Sequence, residues 1–286
     1  MRSCLRPPAV ERAKPLLGTV VRVRARHRSP AAAMVAIDAA FAAVAKVHVL
    51  MSFHEAGSDV SRINCSRGRA PVVVDPQTLA VVSFALRMAE ASGGAFDPTV
   101  GARAVEAGAL PRPARETDPD SAATWRDVTI EGEAVQLRRP LWLDLCGLAK
   151  GYAVDRAVAA LTECGAAAGC VDAGGDLRVF GSDAARISLR AVGSPSAPLL
   201  ELADAAVASS GGDPRVSTRH FDPPRGARVE PEAFASVVAA ECMTADALTK
   251  VVLALGLKGA CACLGAFEAT AYAHHPAGGW LASEAT

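Results

Sequence analysis

The stretch Leu143-Asp144-Leu145-Cys146-Gly147-Leu148-Ala149-Lys150-Gly151-Tyr152-Ala153-Val154-Asp155 runs from an apolar, strand-like segment through a glycine-flanked turn into a helix. Such a layout offers backbone N–H groups at a helix N-terminus, where anions are favoured, and adds the Lys150 ammonium and the Asp155 carboxylate. Strand, turn and one lysine are common. Their weight comes from a second helix start, Cys242-Met243-Thr244-Ala245-Asp246-Ala247-Leu248-Thr249-Lys250, and from the turn Asp172-Ala173-Gly174-Gly175-Asp176 between the two.

Working outward, Val135 to Leu145 reads as strand and Gly147 to Cys164 as a helix with a buried stripe of Val154, Ala157, Val158 and Leu161. Cys170 to Phe180 is a strand interrupted by its glycine pair, and Leu199 to Ser209 pairs with the sheet. Ala235 to Ala240 is a short strand feeding a helix from Ala245 to Leu255, capped by Thr244, with Leu248, Val251, Val252 and Leu255 on its apolar face. Upstream, Leu16 to Ala25 alternates like a strand, and Ala31 to Leu50 is an alanine-rich helix offering Val35, Ala39, Ala42 and Val49 for packing. Gln77 to Ala91 is a further helix, entered from Asp75-Pro76 and ended by Gly93-Gly94. Leu110 to Trp125 is an exposed excursion, and Ser210 to Pro231 a long loop of the kind that is functional or disordered. Strands and helices without regular alternation predict an α+β fold of mixed sheets with packed helices, not a doubly wound parallel sheet. Residues 1–14 read as a flexible basic leader and residues 15–286 as a single domain.

Composition narrows the partners. The 286 residues carry 30 basic and 30 acidic side chains, which gives no overall attraction to nucleic acid or an anionic membrane. Arg22, Arg24, Arg26 and Arg28 alternate as the solvent face of a strand. The cysteines at 4, 65, 146, 164, 170, 242, 261 and 263 form no CxxC pair and read as small buried residues, with Cys261 and Cys263 on one side of a strand. No apolar run approaches the roughly 20 residues of a membrane span. The N-terminus shows neither a signal-peptide apolar region nor a lipobox, so the expected location is cytoplasmic. A Rossmann flavoprotein is disfavoured, because no G-x-G-x-x-G follows the first strand.

Taken together, the ordered motifs resemble the FAD:protein FMN transferase, or ApbE, family. They are Leu17-Gly18-Thr19, Met51-Ser52-Phe53 with Ser58-Asp59-Val60-Ser61-Arg62-Ile63-Asn64, Ala95-Phe96-Asp97-Pro98-Thr99-Val100-Gly101, the stretch from Asp144 to Asp155, Ala173-Gly174-Gly175-Asp176, Ser210-Gly211, His220-Phe221-Asp222-Pro223 and Ala245-Asp246-Ala247-Leu248. The resemblance implies an ApbE-type, T-fold-like architecture. It also implies an activity in which the FMN half of FAD is joined by a phosphoester to a Ser or Thr hydroxyl of an acceptor flavoprotein, releasing AMP. The alternatives are a FAD pyrophosphatase giving FMN and AMP, or a catalytically weak FAD-binding protein.

The same resemblance implies roles for individual residues. Magnesium would sit on the Ala149 carbonyl and the Asp246 carboxylate, while the threonine the family has four residues after that aspartate is here Lys250, with Thr249 one place earlier. An ammonium is donor-only and cannot ligate a cation, so Lys250 either binds phosphate directly or holds Asp246. As residues alone, Asp246 and Lys250 are equally an i, i+4 ion pair on a helix. Ser58 and Asp97 fall in motifs assigned to FAD binding, and Met51 and Phe53 would pack on its ring faces. Ala173, Gly174 and Gly175 would let the backbone approach the ligand and Asp176 accept from it, although glycine-glycine-aspartate is also a plain tight turn. Lys150 reaches a phosphate, and Asp155 binds the nucleotide or orients Lys150. His220 is the candidate base, in a loop one residue shorter than the family pattern.

Overall fold

The computed structural model describes residues 9–66, 68–113, 118–191, 193–211, 221–222, 227–228, 233–275 and 277–283. A hairpin of β1 (Ala9–Leu16) and β2 (Thr19–Arg26) leads into α1 (Pro30–Met51), α2 (Asp59–Cys65), β3 (Val72–Val73), α3 (Pro76–Ala91) and α4 (Gly101–Glu106). Then come β4 (Val128–Glu131), β5 (Ala134–Leu137), α5 (Ala149–Glu163), β6 (Ala168–Ala173), β7 (Asp176–Gly181), β8 (Ala184–Ser188), β9 (Leu199–Ala203) and β10 (Ala206–Gly211). The last elements are β11 (Phe221–Asp222), β12 (Ala227–Arg228), β13 (Phe234–Ala239), α6 (Cys242–Ala266), β14 (Thr270–His275) and β15 (Gly279–Ala282).

The main sheet has eight strands in the order β1-β2-β6-β7-β10-β13-β14-β15, and every neighbouring pair is antiparallel. One face is built from alternate residues: Val21 and Val23 of β2 oppose Ala173 and Val171 of β6, and Ala208 of β10 opposes Val237 of β13, all fully buried. The alanines on this face let helices approach closely. α5 lies on β6 and β7 and against α1, while α6 lies on β10, β13 and β14. The opposite face carries a smaller cluster of Val179, Leu189, Leu202 and Val207, covered by the β8–β9 hairpin. The expected α+β class with packed helices is what the chain adopts.

Several local expectations need correcting. The strand begins at Ala9, so residues 9–14 of the supposed leader belong to β1. In α1 the buried stripe is Ala33, Ala36, Ile37, Ala40, Phe41, Val44, Val47 and Met51, whereas Val35 and Val49 are exposed. An alanine-rich helix is apolar on nearly every face, and its large side chains at Ile37 and Phe41 decide which one is buried. β5 stops at Leu137. The buried run Leu141–Leu145 is held instead by the Asn64 amide, whose Nδ2 donates to Leu143 O (2.9 Å) while its Oδ1 accepts from Leu143 N (2.7 Å). β9 pairs only with β8 and β10 belongs to the main sheet, so the strand expected from Leu199 to Ser209 is two.

The last helix also differs. Its N-cap is Glu241, not Thr244, and it continues beyond Leu255 through a kink at Gly256 (φ 69°, ψ 170°) to Ala266. Cys261 and Cys263 therefore lie on a helix rather than a strand, because Ala260, Cys263 and Leu264 recur at helical spacing and are buried. Cys65, Cys146, Cys164 and Cys261 are exposed, contrary to the expectation of burial. By length and hydropathy α1 and α6 are each apolar enough to cross a membrane, and in this fold both pack against the main sheet and α5.

The corrected α1 face is testable. Ile37→Ala, at a fully buried site, should lower unfolding free energy by about 2–4 kcal/mol, and Val35→Ala should stay within about 0.5 kcal/mol, both read by urea denaturation.

Candidate active site

The site forms where two helices begin side by side. A helix start leaves several N–H groups without intrahelical partners, and neither α5 nor α6 has a side-chain cap from its own N-cap residue. Each is capped by the other. Asp155, in α5, accepts from Cys242 N (2.9 Å) and Met243 N (2.8 Å) at the start of α6. Asp246, in the first turns of α6, accepts through Oδ2 from Gly151 N (3.2 Å) at the start of α5. Close approach requires glycine at 151, since a Cβ there would overlap the Cys242 carbonyl. Arg178 of β7 holds Asp155 from the other side, Nη1 to Oδ1 at 2.7 Å. Burial raises the Asp155 pKa, with the two backbone donors and Arg178 opposing it.

Above the paired helix starts lies a cavity of about 370 Å³, within the usual range for a small-molecule site. Phe96, Val100, Ala104 and Leu110 make an apolar wall, and Ser209, Ser210 and Gly211 line it as well. Its charged groups are Asp97, Asp144, Asp246, Lys150 and Lys250. Asp97 is fixed by accepting from Thr99 N (2.8 Å) and Thr99 Oγ1 (2.6 Å), and burial raises its pKa. Lys150 Nζ stands 2.8 Å from Oδ2 of the fully buried Asp176, an ion-pair contact in which neither Asp176 oxygen has an aligned hydrogen bond. Burial opposes the charge on Lys150, but Asp176 and then Asp246 outweigh it and raise its pKa. Burial, followed by the Asp246 charge, pushes Asp176 up to about 7 although Lys150 and Lys250 pull the other way.

Lys250 closes this cluster. Its Nζ forms a very short contact with Asp246 Oδ1 and donates to Asp246 O (3.0 Å) and Ser210 Oγ (3.1 Å). Thr249 is fully buried, and its hydroxyl is turned to Ser210 Oγ (2.8 Å) and Asp246 O (2.7 Å). The metal set expected at Ala149, Asp246 and Thr249 does not fit this arrangement. One oxygen of the only carboxylate in that set is taken by an ammonium and the other by a backbone N–H, and neither Ala149 nor Thr249 lines the cavity.

Of the expected site residues, Asp97, Lys150, Asp246 and Lys250 converge on the cavity, and Asp176 stands behind Lys150. The others among the described residues do not line it. Asp155 is the cap of α6 rather than a nucleotide ligand or a partner of Lys150. Met51 and Phe53 are core residues, buried to 3% and 6% exposure. Ser58 is the N-cap of α2: its hydroxyl accepts from Ser61 N (3.0 Å) and donates to Ser52 O (2.7 Å). Ala173 ends β6, and Gly174 and Gly175 form the β6–β7 turn with φ of 67° and 100°, the positive values a tight hairpin requires. A Cβ at Gly174 would also overlap Thr19, so the plain-turn reading of this motif is the one the geometry supports. His220 lies outside the described residues. Ser210, Cys146, Gly147 and His54 at the cavity were given no role from the sequence; Ser210, Cys146 and Gly147 stood within quoted motifs, and His54 did not.

The cavity at the helix starts brings together two lysines, three carboxylates and an apolar wall that contains Phe96. The protein class is narrowed by comparison with known proteins: the ApbE family model matches residues 17–273, and the chain belongs to that family. A FAD:protein FMN transferase of Treponema pallidum is 29% identical, covering 90% of this chain and 81% of its own. One of Vibrio cholerae is 30% identical over 74% of this chain and 70% of its own. The crystal structure of the ApbE protein of Thermotoga maritima superposes with a TM-score of 0.85 at 25% identity, covering 97% of each chain.

Losing the cap on α6 should be costly. Asp155→Ala strands two backbone donors and Arg178, and should lower stability by about 2 kcal/mol in urea denaturation. A change below about 0.5 kcal/mol would show that the cap contributes little.

Proposed function

We propose that this chain transfers the FMN portion of FAD to a Ser or Thr hydroxyl of an acceptor protein and releases AMP. Family membership supports this reading, because the curated relatives carry the name FAD:protein FMN transferase. The observation that carries it on this chain is the placement of Lys150 and Lys250 together over the start of α5, beside the apolar wall of Phe96. A dinucleotide pyrophosphate needs positive charge at its centre and a sheltered surface for its rings, and the cavity offers both.

In the reaction, the acceptor hydroxyl oxygen attacks the phosphorus of the FMN half. A new P–O bond forms, the bridging P–O bond breaks, and AMP departs with the bonding electron pair. Lys150 and Lys250 stabilise negative charge on the phosphates, while Asp176 fixes the direction of the Lys150 ammonium. Phe96 and Val100 shelter a ring system from water. The hydroxyl proton is assigned to His220, in the segment that follows the Ser209-Ser210-Gly211 wall along the chain.

The direct test is intact-mass spectrometry of candidate acceptor proteins after coexpression. One added FMN on a Ser or Thr is expected, and its loss with Asp246→Ala while circular dichroism stays native. Free FMN and AMP forming equally fast without acceptor would favour pyrophosphatase activity instead. On the binding side, Lys150→Met should weaken FAD about tenfold, equivalent to roughly 1.4 kcal/mol, and leave riboflavin binding unchanged in calorimetry. Equal losses for both ligands would place Lys150 away from the phosphates.

A further inference from the structure

We propose that the Lys250 ammonium is a built-in cation, occupying the position beside Asp246 that a divalent metal would otherwise take and presenting fixed positive charge to an anionic phosphate ligand. Three oxygens surround its Nζ: the Asp246 carboxylate, the Asp246 carbonyl at 3.0 Å and the Ser210 hydroxyl at 3.1 Å. Carboxylate, carbonyl and hydroxyl are the oxygen ligands of a hard cation, and here they match the three hydrogens of one ammonium. The side chain is only 17% exposed and its stem lies against Gly147, so it is held in place rather than waving into solvent.

Charge separates the two arrangements. A divalent ion next to Asp246 would leave one net positive charge, whereas Lys250 leaves a neutral pair whose ammonium end lines the cavity. The Lys150 ammonium stands nearby on Asp176, so a phosphate meets two oriented ammonium groups instead of a metal. Of the three contacts, the one to the neutral Ser210 hydroxyl, which also accepts from Thr249, is the one a phosphate oxygen can replace.

The phosphate ligand is taken from the proposed function, but the cation exchange is not. Metal binding and FMN transfer can therefore fail separately. The test is titration of chelator-stripped, flavin-free protein with Mn2+, following the free-ion signal by electron paramagnetic resonance. The wild type should show no saturable binding. Lys250→Thr should gain one equivalent, lost again in the Lys250→Thr, Asp246→Asn double variant. Should Lys250→Thr fail to fold by circular dichroism, Lys250→Met, which keeps the length and removes the charge, is read in the same way. Calorimetry of FAD with wild type should give the same affinity with and without EDTA. The proposal is overturned if wild type binds one Mn2+ that Asp246→Asn abolishes. It is equally overturned if the folded Lys250 variants bind none, or if EDTA weakens FAD about tenfold or more.

Discussion

The reciprocal capping of α5 and α6 is the constraint on which the site rests. Each helix supplies the carboxylate that satisfies the other's first N–H groups, Asp155 toward Cys242 and Met243, and Asp246 toward Gly151. Two positive helix ends are thereby fixed side by side without a sequence-local cap on either, and Gly151 allows the separation this needs. The antiparallel sheet prepares the geometry. Its alanine-rich inner face lets α5 settle on β6 and β7 and α6 on β10 and β13, so both helix starts open on the same cavity.

Within that frame the charges are graded by burial. Asp176 is fully buried and Asp246 nearly so, while Lys150 and Lys250 reach past them into the cavity. Carboxylates in the wall orient the ammonium groups, Asp176 and Asp246 hold the Lys150 pKa up against burial, and both ammonium groups line the cavity. At position 250 the local chemistry is ion pairing, with the ammonium set against Asp246 and Ser210.

Much of this was legible in the sequence, for reasons that differ by element. The stripe Val154, Ala157, Val158 and Leu161 of α5 stands out because polar residues flank it, and the structure buries all four. In α1 the same reasoning picked Val35 and Val49, because alanine on every side removes the contrast that marks a face. The helix expected to end at Leu255 continues past Gly256, and a glycine that kinks a helix has the same local signature as one that ends it. The roles of Asp155 and Asn64 depend on partners distant in sequence, so nothing local distinguishes a cap or a backbone clamp from a ligand-binding group. Asp97, Lys150 and Asp246 were found because their motifs follow the family order, and Lys250 because it stands where the chain departs from it; all four line one cavity.

The claim that the two helix starts are held as one unit is tested most directly by hydrogen exchange in Asp155→Asn, compared with wild type. The amides of Cys242 and Met243 lose their acceptor directly and should exchange faster. Mutual capping predicts that Gly151, whose acceptor is Asp246 on the other helix, speeds up as well. Faster exchange confined to the start of α6, with Gly151 unchanged, would contradict the account.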